Sequence, residues 1–130
     1  MTALIRHPLI RGLAALSAFG LAVLIAVYSL VPASQAPAPS VSDKVKHFAA
    51  YAALAAPLWV ALGPGMRRAA TAFALAVLFG IGLELAQMLG TAGREGSALD
   101  VAANMGGAVA GLACVWMAGR NWPLFRSDSG

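Results

Sequence analysis

The chain has 130 residues, of which 60% are hydrophobic and 11% charged. A soluble domain carries about 25% charged residues, so nine Lys/Arg and five Asp/Glu cannot coat a water-facing surface of this size, and a soluble monomer and a disordered chain are both excluded. One cysteine excludes a disulfide framework, and the net charge of +4 comes from scattered residues rather than from the clustered patch of a nucleic-acid binder.

Charge-poor stretches then divide the chain. A helix rises about 1.5 Å per residue, so roughly 20 apolar residues cross the hydrocarbon layer of a membrane. Residues 12–31 are the first such stretch, with no charge at all. Arg6 and Arg11 before it and Ser34-Gln35-Ala36 after it also resemble a signal peptide, although the run of 20 is longer than a usual signal core of about 7–15. Residues 32–42 are a Pro/Ala/Ser-rich loop that cannot continue a helix. The second span is predicted over 43–62, with Ser42 as N-cap and Asp43 in the first turn, where it suits the helix dipole. Pro57 inside it is placed to kink it, and Gly63-Pro64-Gly65 ends it. The third span, 69–89, is interrupted only by Glu84. The fourth, 100–119, has Asn104 as its main polar residue, and Cys114 in it reads as packing. The alternating strands of a membrane barrel are absent. The expectation is an all-α integral membrane bundle of four transmembrane helices, forming a single domain over 1–130.

Lys/Arg counts set the orientation. Arg6, Arg11, Arg67, Arg68, Arg120 and Arg126 lie on one side, which makes six, against Lys44, Lys46 and Arg94 on the other. The positive-inside rule then places both termini in the cytoplasm, with Trp116 and Trp122 in an inner aromatic belt.

The polar residues gather at the opposite, outer level. Asp43, Lys44 and His47 start the second span, and Tyr51 lies one turn deeper; 43, 47 and 51 share a helical face. Glu84 and Gln87 lie near the end of the third span, Arg94 and Glu95 in the following loop, and Ser97, Asp100 and Asn104 at the start of the fourth. Glu84 lies about 7–8 Å below its helix end and Asn104 about 5 Å below its helix start, so their depths match. Gly107 and Gly111 form a GxxxG step that permits close helix approach. Ser97-x-x-Asp100 also reads as a capping box, a local role compatible with a functional one. A carboxylate within hydrocarbon must be neutral, paired or wetted, and the partners predicted for Glu84 are His47 and Arg94. Asp43, Lys44, His47, Glu84, Arg94 and Asp100 together carry −1 with histidine neutral, so a closed, self-neutralising network is also open to them.

The order Asp43-Lys44-x-x-His47-x-x-x-Tyr51, Glu84-x-x-Gln87, Arg94, Ser97, Asp100, Asn104, Gly107 resembles the VanZ-like family, over roughly half the chain. The resemblance implies a small multi-pass bacterial membrane protein; the family's namesake is associated with low-level resistance to the glycopeptide teicoplanin. It supplies a location and a residue set but no reaction. The expected place is the cell inner membrane, and the expected function is binding of, or action on, a cell-envelope ligand. Membrane lipid, an envelope lipid carrier or a glycopeptide are the candidate partners. Asp43, Lys44, Tyr51, Gln87, Arg94, Ser97, Asp100 and Asn104 would bind; His47 and Glu84 would serve as base and acid in an enzyme. One histidine in the cluster, with no paired-histidine spacing, leaves no metal or cofactor expected. The alternatives are a structural or assembly partner whose polar residues only hold helices together and, less favoured because the inner halves of the spans are dry, a small transporter. A homo-oligomer is compatible with either.

Overall fold

The computed structural model describes residues 7–32, 35, 38, 40–90 and 97–121, the last two without their side chains. Four helices follow one another: α1 (Pro8–Leu30), α2 (Asp43–Leu62), α3 (Met66–Leu89) and α4 (Ala98–Asn121). All four are long and apolar enough to cross a membrane, which makes the chain an all-helical, multi-pass membrane protein. Ser34, Ala36 and residues 91–96, Arg94 and Glu95 included, lie outside the described residues.

Local chemistry explains the helix ends. α2 has the expected bounds, and the Ser42 hydroxyl accepts a hydrogen bond from Val45 N. It runs unbroken through Pro57 to Gly63, whose φ of +92° lets the chain turn while its N–H donates to the Trp59 and Val60 carbonyls. α1 begins at Pro8 rather than residue 12, because proline at the first helical position is already set in helical φ and His7 caps it by accepting from Leu9 N. α3 begins at Met66, three residues earlier than expected, so Arg67 and Arg68 lie in its first turn. α4 begins at Ala98, with the Ser97 hydroxyl accepting from Leu99 N.

α2 is the organising helix. It packs most extensively against α4, then against α1, and also against α3. The seam with α4 is built on absent side chains: a Cβ on Gly107 would overlap the Phe48 carbonyl, and one on Gly111 would overlap the Ala52 carbonyl. The two helices run parallel here, and the GxxxG step brings α4 onto the α2 backbone over a full turn. α3 presents one buried stripe of Ala69, Ala72, Ala76, Gly80, Glu84 and Gln87, small at its start and polar at its end. The core that results is Ala18, Tyr51, Leu54, Ala55, Ala76 and Ala108, bordered by Leu21, Ile25, Phe73 and Phe79. Large apolar side chains face outward instead, Leu16 at 69%, Phe19 at 70% and Leu78 at 64% exposure, as a lipid solvent permits. Cys114 is also exposed rather than packed.

Polar contacts tie the two ends. At one end the Arg11 guanidinium donates to the Ala61 and Leu62 carbonyls at 3.0 and 3.3 Å, satisfying acceptors that the last turn of α2 leaves free. Arg11 therefore docks α1, beyond marking its orientation. At the other end Gln87 Nε2 donates to the Ser29 carbonyl of α1 at 2.7 Å.

Gly111→Ala is expected to destabilise the bundle by about 1–3 kcal/mol through overpacking of the α2–α4 seam. Gly20→Ala, where nothing lies within 4 Å of the added methyl, is expected to be near neutral. Unfolding of both variants in mixed micelles checks the contrast.

Candidate functional site

The polar end of the bundle gathers side chains from three helices. His47 projects from the second turn of α2, Glu84 from the last turns of α3, and Asp100 and Asn104 from the first turns of α4. The parallel α2–α4 seam sets their register, so that Lys44 meets Asp100 and His47 meets Asn104 one turn below. His47 Nδ1 lies 2.9 Å from Asn104 Oδ1 and 3.8 Å from Glu84 Oε1. The first is a hydrogen bond in which the Nδ1–H donates to the amide oxygen; the second is a close contact, too long for a hydrogen bond. Ligand-capable atoms of His47, Glu84 and Asp100 all lie within 4.8 Å of one another. Side-chain exposure falls from 12% at His47 to 6% at Glu84.

Glu84 has a partner that its spacing did not announce. Its Oε2 accepts the backbone N–H of Ser97 at 2.9 Å. In a capping box that N–H would be taken by Asp100; here a carboxylate from the preceding helix takes it, while the Ser97 hydroxyl still caps Leu99. Asp100 is released from local duty and turns toward Lys44, whose Nζ lies 3.9 Å from Oδ1. That oxygen is buried and accepts no hydrogen bond among the described residues.

The other expected site residues divide. Tyr51 is 1% exposed and packs with Asn104 Nδ2 into the space that Gly80 leaves, where a Cβ would meet the Asn104 nitrogen at 2.7 Å and the Tyr51 hydroxyl at 3.0 Å. Gln87 is buried but spends its amide on α1. Asp43 belongs to the rim, where its Oδ1 pairs with Lys46 at 3.2 Å, which makes Lys46 a rim member beyond the expected site residues. Arg94 lies outside the described residues.

A groove of about 230 Å3 opens between α1 and α2 beside the cluster. Leu24, Ile25, Tyr28 and Ala50 make its apolar walls, Ser29, Asp43 and Lys46 its polar edge, and His47 and Tyr51 its base. His47 thus faces both the groove and the buried cluster. Sequence reasoning missed the α1 wall, because Tyr28 and Ser29 read as the tail of an apolar span. The polar pair at the end of the otherwise apolar first span was the available signal.

No protein-family model matches the chain, and no match is found among curated proteins or solved structures.

His47→Ala and Asn104→Ala in a double-mutant cycle are expected to couple by about 0.6 kcal/mol, the usual size of an interhelical hydrogen bond in a membrane. A larger loss, about 1–3 kcal/mol, is expected for Glu84→Leu, which leaves the part-buried Ser97 N–H without its acceptor; Glu84→Gln keeps an acceptor there and is expected to lose less. Unfolding free energies of the variants in micelles check both expectations.

Proposed function

We propose that this chain is an inner-membrane protein whose polar end faces outward and binds an amphiphilic cell-envelope ligand with an anionic head. The observation that carries this reading is the junction at His47, where a largely apolar groove of about 230 Å3 meets a buried polar cluster. An acyl or prenyl chain would lie along Leu24, Ile25 and Ala50, and its head would meet Lys46 and His47, which supply hydrogen-bond donors and positive charge. The groove lies between two helices, so such a ligand would arrive from within the bilayer. The resemblance to the VanZ-like family supports the same envelope setting. A second reading also has support: Glu84, Gln87 and Asn104 each make a hydrogen bond to another helix or its N-cap, as in a bundle that uses polar groups only for assembly.

Orientation is read by cysteine labelling in a Cys114→Ala background. Ser40→Cys is expected to react with a membrane-impermeant maleimide in intact cells, and Met66→Cys only after lysis.

Binding is read with the purified protein in nanodiscs, using polyprenyl phosphate, phosphatidylglycerol and teicoplanin as probes. At least one probe is expected to bind saturably. Ala50→Trp, which fills the groove, and His47→Ala are expected to weaken that probe at least about tenfold, the equivalent of 1.4 kcal/mol. Unchanged binding in both variants, with lowered unfolding stability in His47→Ala, would establish the assembly reading instead.

A further inference from the structure

We infer that His47, Glu84 and Asp100 form a binding site for one divalent transition-metal ion. The residue types are right: an imidazole nitrogen and two carboxylates are ligands for zinc, manganese or ferrous iron. They come from three different helices, so no local motif could announce them, and the bundle holds their ligand atoms within 4.8 Å of one another. Tetrahedral ligands at zinc–nitrogen and zinc–oxygen bond lengths sit roughly 3.4 Å apart. The His47–Glu84 separation of 3.8 Å is already close to that, and the 4.8 Å within which all three ligand atoms lie leaves Asp100 about an ångström to close.

Two further observations point to a cation. The Asp100 Oδ1 atom is buried and accepts no hydrogen bond among the described residues, leaving a desolvated anionic oxygen that a metal ion would satisfy. Charge agrees with this. Glu84 and Asp100 bring two negative charges into a buried cluster, and the nearest cation among the described residues is the Lys44 ammonium, on a side chain 57% exposed and 3.9 Å from one of them. The formal charges of Glu84, Asp100 and Lys44 sum to −1, so a divalent ion would offset the excess of negative charge. His47 Nδ1 points at Asn104 Oδ1 and Glu84 Oε1 together, so an ion would take the place of the Nδ1 proton, with Asn104 Oδ1 near enough to join the ligand set. Three protein ligands leave at least one coordination position for water or for a ligand oxygen. The ion needs only the cluster and not the groove, so its binding is independent of any amphiphile.

The test uses the full-length protein in detergent micelles, stripped with chelator and dialysed, then titrated calorimetrically with zinc chloride and with manganese chloride. Saturable binding of one zinc ion per chain is expected, with a rise in thermal unfolding temperature. Manganese should be weaker, following the usual affinity order. Glu84→Gln and Asp100→Asn should each lower zinc affinity at least about tenfold, since even outer partners of metal ligands are worth that much. His7→Ala, which removes the other histidine at the exposed start of α1, should leave zinc binding unchanged. Glu84→Gln keeps an acceptor for the Ser97 N–H, and its circular dichroism spectrum and melting curve without metal verify that it is folded. No saturable zinc binding to the wild-type chain would overturn the inference, as would binding that survives both carboxylate substitutions or is lost in His7→Ala.

Discussion

The contact of the α2 backbone with α4 at Gly107 and Gly111 is the constraint from which the polar end follows. Apolar side chains gain little by leaving lipid for one another, so helices in a membrane are held by close packing and hydrogen bonds. Two glycines one turn apart let α4 rest on the Phe48 and Ala52 carbonyls. Two parallel helices in contact along such a seam have no freedom to slip, and their register carries upward to the His47–Asn104 bond and the Lys44–Asp100 pair. The chemistry at the polar end is therefore placed by residues that have none.

α3 completes the arrangement differently. Its buried stripe is alanine and glycine where it crosses the middle of the bundle, then Glu84 and Gln87 where it ends. The small residues let the helix lie close to Tyr51 and the core, and the polar ones reach α1 and the start of α4. Gln87 and Arg11 hold α1 at its two ends, while Ala18 is its only fully buried residue. α1 is thus fastened by polar contacts at both ends, and the groove opens toward the end that Gln87 holds, where Ser29 is one of its lining residues.

Much of this was legible before any coordinates. Charge-free length gave four spans, and α2 starts and stops where Ser42 and Gly63 said it would. Depth was legible too, because rise per residue places Glu84, His47 and Asn104 at one level without knowledge of their neighbours. Rotation of each helix about its axis was not, since spacing within a helix says which residues share a face but not what the face meets. Asp43 shows the limit: it shares the i, i+4 face of His47 and Tyr51, yet it pairs with Lys46 at the rim. Ser97 shows another. The capping box is a sound local reading, but a carboxylate from a different helix takes the Ser97 N–H instead, a contact that spacing within one helix cannot announce.

That exchange has an evolutionary corollary. The group that Glu84 grips is a main-chain amide, present whatever side chain stands at position 97, so this bond, unlike the Ser97 hydroxyl's cap on Leu99, survives any substitution there but proline. Position 84 has no such latitude, since only an acceptor of similar reach can replace the carboxylate. Two atoms in one bond thus face unequal selection: the bond itself demands an oxygen at the third helix but no particular side chain at its other end.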